Sequence, residues 1–158
     1  MNKGLMMRKL LFGFIFSLVC SASSLADWEY TTDVDEMRNE TNHSAILKTV
    51  NSNDDLSIIL SSPDEKTISS TVLKIEDAKI NCYPGDTCKA LVKFDNGEIE
   101  SFDYVNVTIE QNVSVPLEYI EFARKIKNSD VVFIELPIEG KGTQQFKFKT
   151  SGLKWKVE

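Results

Sequence analysis

Residues 79–107 decide the fold, and they read KINCYPGDTCKALVKFDNGEIESFDYVNV. Cys82 and Cys88 bracket a Pro-Gly pair, which favours a tight reversal of the chain. A β-rich run follows, then the pair Asn96-Gly97, which is typical of a type I′ hairpin turn because both residues tolerate positive φ. A second β-rich run comes after it. The stretch therefore predicts two linked hairpins, the first closed by a disulfide bond, at the centre of a mainly β domain.

The cysteines indicate a structural disulfide. The chain has three cysteines, and Cys20 falls in a predicted leader. Cys82 and Cys88 remain as an even pair, so we expect a disulfide bond between them in an oxidising compartment. Their spacing excludes a C-x-x-C redox centre, and two thiolates without a neighbouring histidine fill only half of a zinc shell. Phosphate-binding glycine loops are absent, and the sequence predicts no metal and no cofactor.

Residues 1–26 are typical of a secretory signal peptide. Three basic residues precede an apolar run at residues 10–19, and small residues stand at the end of the segment. We expect cleavage near Ala26. This would leave a single β-sandwich domain, residues 27–158, in the periplasm or outside the cell.

Two other interpretations of the leader are a retained membrane anchor and a bacterial lipoprotein. The apolar run falls short of the roughly 20 residues that a spanning helix needs. A lipoprotein requires a small residue before Cys20, where Val19 stands. The sequence favours cleavage over both, so the mature protein is expected not to span the membrane.

The predicted mature domain is acidic. Because the leader holds three basic and no acidic residues, 15 of the 18 Lys and Arg residues remain against 24 Asp and Glu, a net charge of −9. A protein with this charge repels nucleic acid and anionic lipid surfaces, so we expect neither as a partner. Attraction to a basic partner and plain solubility both explain the charge, and solubility is the simpler explanation.

Short runs with β-type alternation fill most of the mature chain, and one stretch has helical periodicity. The helix is predicted near residues 116–127, with Pro116 in its first turn and Ser114 as a cap. Tryptophans near both ends, Trp28 and Trp155, are expected to be buried where the ends meet. The pattern predicts an antiparallel β-sandwich or flattened barrel with one α-helix. The predicted strands are 27–32, 45–50, 56–60, 69–75, 79–82, 88–95, 98–102, 131–136, 145–149 and 153–157, and residues 104–109 either continue the strand 98–102 or begin another.

The sequence offers few groups for catalysis. His43 is the one histidine, and no free cysteine or G-x-S-x-G turn accompanies it, so we expect a surface or loop residue. Acidic clusters occur at residues 33–36 and 53–55, and neither has the spacing of a calcium-binding loop. Turn formation explains the second cluster, since Asn and Asp side chains bond their own backbone. We assign no metal to either.

Four lysines form the one basic feature of the sequence: Lys147, Lys149, Lys154 and Lys156. They alternate with large apolar residues on the last two predicted strands. If these strands pair, the lysines form a stripe on an otherwise acidic protein. A solvated sheet face that discourages edge-to-edge aggregation is the simpler explanation. The stripe is also the best candidate in the sequence for contact with an acidic partner.

The mature sequence carries structural landmarks in a recognisable order. They are Trp28-Glu29-Tyr30, Asp35-Glu36-Met37, Ala45, Leu56 to Leu60, Cys82, Cys88, Val92 to Asp95, Phe146-Lys147-Phe148 and Gly152 to Trp155. The layout resembles a broad group of small exported bacterial and prophage-associated proteins of unassigned function. It also resembles accessory proteins encoded with type VI secretion systems. The resemblance spans nearly the whole mature chain and implies a sandwich fold, but it implies no catalytic residues.

Three functions are compatible with these observations. The leading prediction is an exported, periplasmic, non-catalytic binding or accessory protein that acts on an envelope protein or cell-wall component. The alternative is an envelope hydrolase that uses surface carboxylates. The third is a carrier of a small ligand, which would require an apolar cavity in the sandwich.

Overall fold

The computed structural model describes residues 27–50 and 55–157. The predicted signal peptide and residues 51–54 lie outside the described residues. In the described part we find no helix with the length and apolar character that a membrane crossing requires. The elements are β1 Glu29–Asp35, β2 Glu40–Lys48, β3 Leu56–Ser62, β4 Ser70–Ile75, β5 Thr87–Phe94, β6 Ile99–Asn106, β7 Val113–Pro116, α1 Tyr119–Lys127, β8 Val131–Ile138 and β9 Gly142–Lys149.

All nine strands join one antiparallel sheet in the order β1-β2-β3-β4-β7-β6-β5-β8-β9. One buried apolar cluster takes residues from both halves of this order, for example Leu47 and Ile58 from one half and Val92 and Ile134 from the other. The two halves therefore face each other across a shared core. This confirms the predicted mainly β fold of sandwich or flattened-barrel type with one helix.

The two edges of the sheet approach each other without forming a ladder between β1 and β9. The backbone N–H of Val50, just after β2, donates to the carbonyl of Lys147 in β9 at 3.0 Å. The indole N–H of Trp28 donates to the carbonyl of Thr150 at 3.1 Å. Trp28 is 8% exposed and Trp155 is 2% exposed, which confirms that both tryptophans are buried.

The helix begins later than predicted. Pro116 is the last residue of β7, and α1 starts at Tyr119. Ser114 is buried in β7 and donates a hydrogen bond to Asn106, so it does not cap the helix. The prediction was wrong here because proline favours extended backbone in the residue before it, Val115, which suits a strand.

The helix closes part of the core with one apolar face. Phe122, Ala123 and Ile126 are buried. The Phe122 ring lies 5.1 Å from the Phe102 ring and 6.1 Å from the Phe94 ring, both in edge-to-face geometry. Such pairs add stabilisation beyond the buried area, so this aromatic cluster ties the helix to the β5–β6 hairpin.

The loop between Cys82 and Cys88 is stapled, but it does not form a hairpin. The two sulfur atoms lie 2.02 Å apart, which confirms the predicted disulfide bond. Ile80 forms an isolated bridge with Ile138 at the end of β8 and does not pair with β5. The buried amide of Asn106 donates to the carbonyls of Ile80 and Cys82 and satisfies both inside the fold. The predicted first hairpin was therefore wrong, because β5 pairs with β6 and β8 instead.

The second predicted hairpin forms between β5 and β6, but its turn is not type I′. Positive φ occurs at Asp95, with 49°, and not at Asn96 or Gly97. The Asp95 carboxylate accepts hydrogen bonds of 2.9 Å from the backbone N–H groups of Asp130 and Val131. Hydrogen bonds to the start of β8 thus hold the turn. The residues of the turn alone could not indicate such a long-range contact.

Residues 39–44 lie outside the predicted strands, but in the structure β2 begins at Glu40, opposite Asp35 of β1. The connecting turn is fixed by the Asp35 carboxylate, which accepts hydrogen bonds from the backbone N–H groups of Met37 and Arg38. This part of the hairpin is exposed on both faces. Hydrophobic alternation therefore carries no signal for it.

Asp64 holds the turn between β3 and β4. Its carboxylate accepts hydrogen bonds from the backbone N–H groups of Thr67 at 2.7 Å and Lys66 at 2.9 Å. These bonds to the charged form lower the pKa of Asp64 to about 2, from the usual 3.8. Because the folded pKa lies below the unfolded one, the stabilisation is complete above the unfolded value and is lost as the pH falls toward 2.

We expect Asp64→Asn to lower the urea midpoint at neutral pH, because a neutral amide resembles the protonated acid. The gap between this variant and the wild type should narrow as the pH falls from about 4 to about 2. Urea unfolding followed by circular dichroism at several pH values measures both midpoints. A gap that stays constant over this range would contradict the assignment.

Candidate functional site

The structure divides the four predicted contact lysines into two pairs. Lys147 and Lys149 lie on β9, on the side opposite the buried rings of Phe146 and Phe148. The predicted strand at residues 153–157 does not form, and the described chain has no strand after β9. A stripe on two paired strands is therefore absent from the described residues, although the predicted alternation is present in both segments.

Lys154 and Lys156 lie on a C-terminal tail that crosses to the other edge of the sheet. The Lys154 ammonium lies 5.3 Å from the centre of the Tyr30 ring in β1. The backbone N–H of Lys156 donates to the carbonyl of Glu65 in the loop between β3 and β4. Lys154 thus lies beside β1 and Lys156 beside the loop between β3 and β4, while Lys147 contacts Phe133 of β8. The contact role of each pair stays a prediction.

The outer face of β6, β5, β8 and β9 places apolar and basic side chains side by side. Strand register sets Lys93 between Ile99 of β6 and Phe133 of β8, and sets Phe133 opposite Lys147 of β9. Side chains on one face of directly paired residues are close neighbours. We call this set of four residues the basic row.

A second row lies beside the first on the same face. Leu91 of β5 pairs with Glu135 of β8, which pairs with Gln145 of β9. The Gln145 amide donates to the Glu135 carboxylate at 3.0 Å. We call Leu91, Glu135 and Gln145 the acidic row, because its single charge is the Glu135 carboxylate.

A shallow groove of 220 Å³ runs between the two rows. Ile99 is 65% exposed and Leu91 is 43% exposed, so both present large apolar surface to solvent. Phe133 is half-buried and forms the floor with them. Exposed apolar patches rimmed by polar residues are typical of interaction sites, which makes this groove the best candidate site among the described residues.

The charge around the groove is positive on one side. The Lys147 ammonium lies 5.4 Å from the centre of the Phe133 ring, in a cation–π contact. Neither Lys93 nor Lys147 enters an ion pair within the described residues. Lys89, further along β5, is balanced by Asp103 at 2.7 Å. The basic row is thus available to a negatively charged group on an otherwise acidic protein.

The sequence did not reveal the apolar part of this groove. Phe133 stands between Val132 and Ile134, within the continuous apolar run of the predicted strand 131–136. In the structure only alternate residues of β8 face the core. Leu91 likewise lies between the inward-facing Ala90 and Val92. The available signal was a large apolar residue in the outward phase of an otherwise alternating strand, which shows only once the phase of the strand is known.

His43 lies in β2, not in a loop, and its surroundings do not form a catalytic relay. The Thr32 hydroxyl lies 3.1 Å from Nδ1, and the Glu65 carboxylate lies 3.5 Å from the same nitrogen. A nucleophile–histidine–acid relay uses one ring nitrogen for the nucleophile and the other for the acid. Because Thr32 and Glu65 both lie near Nδ1, the ring cannot pass a proton between them through its two nitrogens.

The carboxylates with shifted pKa values owe the shift to local hydrogen bonds. The pKa of Asp35 is lowered, first by the hydrogen bond from the Arg38 side chain. The pKa of Glu76 is lowered by the hydrogen bond from Lys74. A hydrolytic general acid needs a raised pKa, the opposite direction. Across residues 27–50 and 55–157 no cluster of His, Cys, Asp and Glu could hold a metal ion, and residues 53 and 54 of the second acidic cluster lie outside these ranges.

Comparison with known proteins finds no matching family model, no matching curated protein and no matching solved structure. The evidence for a function is therefore the chemistry of the groove itself.

Proposed function

We propose that the chain is exported by residues 1–26 and acts in the periplasm or outside the cell as a non-catalytic binding protein. Its partner is an envelope protein or cell-wall component with an acidic surface. The observation that carries the proposal is the basic row, in which Lys93 and Lys147 flank the Phe133 ring and the exposed Ile99 lies next to Lys93. The resemblance to exported accessory proteins agrees with this role.

The physical argument rests on the contrast between this face and the rest of the chain. The predicted mature domain has a net charge of −9, since 15 basic residues stand against 24 acidic ones. On this face, in contrast, two ammonium groups that enter no ion pair within the described residues lie next to exposed apolar surface. Complementary charge around an apolar centre directs a partner to one register and speeds association, while the apolar centre supplies the affinity.

The alternatives receive less support from the described residues. A hydrolase would need an acid of raised pKa, and the carboxylates with shifted pKa values shift downward. A small-ligand carrier would need an enclosed site, and such sites typically have roughly 300–1,000 Å³. The groove has 220 Å³ and is open to solvent. A depression of 740 Å³ beside Asp33, Asp35 and Glu40 is larger, but it is also open and its lining is mostly polar, so it does not form an apolar cavity.

Reversing the charge of the basic row should abolish capture of the partner. The tagged protein, exported with its own leader, would be crosslinked in a bacterial host, and the captured material would be identified by mass spectrometry. We expect Lys93→Glu/Lys147→Glu to weaken the purified complex by about tenfold or more, since like charges across an interface are costly. Affinity measured by surface plasmon resonance at two salt concentrations reports the loss.

Lys154→Glu/Lys156→Glu is the matched control, because it makes the same charge change on the C-terminal tail. We expect it to leave the affinity within about twofold, as is usual for charges outside an interface. Both double variants should show the circular dichroism spectrum of the wild type. Equal weakening by the two variants, or weakening by the tail variant alone, would refute the assignment of the site to the basic row.

A further inference from the structure

We infer that the groove receives a segment of a protein in which one large apolar side chain is flanked by carboxylates, an inference that rests on the proposed binding function. Three features of the groove carry it: its size, the covered face of Phe133 and the different charges of its two sides. Each feature favours a protein segment over other acidic polymers of the envelope.

The size of the groove fits a side chain better than a whole ligand. Its volume of 220 Å³ is below the range of roughly 300–1,000 Å³ that is typical of small-molecule sites. Leu91, Ile99 and Phe133 supply large apolar side chains to its lining. An apolar anchor that fills such a depression and loses its water is the usual centre of a protein–protein contact.

One side of the Phe133 ring is already in contact with a cation. The ammonium of Lys147 lies over the ring, 5.4 Å from its centroid, so a planar group stacked on that side would have to displace it. Ligands recognised by stacking need a free aromatic face. A carboxylate that approaches Lys147 can instead bond the ammonium where it stands, so that the cation–π contact is retained.

The two sides of the groove disfavour a uniformly anionic polymer. Lys93 lines one side, with Lys147 beside it across Phe133, while Glu135 lines the other side and is paired with Leu91. A polyanion that covered the whole groove would bring negative charge against Glu135, and like-charge contact is costly. A polypeptide can vary its side chains from residue to residue and place carboxylates only beside the basic row.

Two synthetic peptides of equal charge test this inference. The first carries one phenylalanine flanked by aspartates, and the second carries serine in place of the phenylalanine. The probe would be titrated into the purified exported protein, labelled on isoleucine and leucine methyl groups for NMR. We expect the phenylalanine peptide to bind at least about tenfold more tightly and to shift the methyl signals of Ile99 and Leu91.

Surface variants locate the contact without disturbing the core. Ile99→Ser should reduce the affinity for the phenylalanine peptide to that of the serine peptide. Ile109→Ser is the matched control, because Ile109 is 87% exposed and does not line the groove, and it should leave the affinity unchanged. Equal binding of the two peptides, or equal effects of the two variants, would overturn the inference.

The outcome for the captured envelope partner separates this inference from the proposed function. A partner that is lost with Lys93→Glu/Lys147→Glu and destroyed by protease supports both. A partner that is lost with the same variant and survives protease as a glycan would overturn the protein-segment inference and leave the binding function standing. Insensitivity of the captured partner to the double variant would overturn both.

Discussion

Replacing Trp155 with alanine should lower the free energy of unfolding by about 3–5 kcal/mol, the usual cost of removing a large aromatic side chain from a core. Trp155 is 2% exposed and belongs to the central apolar cluster. Its ring packs against Tyr30 of β1 at 6.3 Å between centroids. The substitution therefore opens a cavity where the C-terminal tail meets the first strand. Urea unfolding monitored by circular dichroism measures the loss.

Trp155→Phe is the matched control for this cavity. The indole Nε1 of Trp155 is buried and has no hydrogen-bond partner among the described residues. Phenylalanine removes this unpaired polar group and keeps most of the aromatic volume, so we expect a cost below about 1.5 kcal/mol. An alanine variant as stable as the phenylalanine variant would show that the tail is dispensable for the fold.

Loss of the disulfide should be the second large effect. Removing a native disulfide from a small exported domain typically costs about 2–5 kcal/mol. The loop between Cys82 and Cys88 is short, so the chain-entropy account alone predicts roughly 2 kcal/mol. The loop also presents the Cys82 carbonyl to the amides of Asn106 and Gln111. Without the disulfide bond, only these hydrogen bonds hold the loop. The loss in free energy of unfolding should therefore exceed the chain-entropy contribution.

Reduction separates the bond from the volume of the cysteine side chains. We expect dithiothreitol to lower the urea midpoint of the wild type and to leave that of Cys82→Ala/Cys88→Ala unchanged. The reduced wild type and the double variant should then differ only by the loss of two sulfur atoms, of which that of the buried Cys82 matters more than that of the partly buried Cys88. A wild-type midpoint that does not respond after complete reduction, verified by thiol titration, would contradict a stabilising role.

Many strand positions were predictable because apolar and polar residues alternate along a strand that has one buried face. The residues of β9 and β4 alternate in the sequence as they do in the structure, with Phe146 and Phe148 inside. Both tryptophans were predicted to be buried because they stand near the two ends of the domain, and both are. Prediction failed where alternation carried no information, as at the start of β2, where both faces are exposed.

Other errors came from long-range contacts that local pattern cannot include. Residues 153–157 alternate like a strand, but the backbone of Lys154 donates to the Tyr30 hydroxyl at 2.9 Å, and Lys156 bonds Glu65. These partners replace a ladder with β9. The later start of the helix has a related cause, because β6 and β4 recruit β7, including Pro116, as a strand between them.

The candidate site was half visible in the sequence. Lys147 stood out as part of a basic pattern, while Lys93 and Phe133 did not. Residues of β5, β6, β8 and β9 that are far apart in the chain become neighbours only through strand register. The polar half of such a surface can be suspected from charge alone. The apolar half cannot, since an isolated leucine or phenylalanine is far more often a core residue.

The sequence by itself determined the class of fold, the disulfide pair and the positions of most strands, because turn residues, cysteine spacing and alternation act over a few residues. The tertiary structure alone decided where β7 joins the sheet, which partners the Cys82 loop takes and which lysines share a face. Those outcomes depend on contacts between distant segments and on the register that brings them together. The surface formed by Ile99, Lys93, Phe133 and Lys147 is therefore a property of the folded sheet.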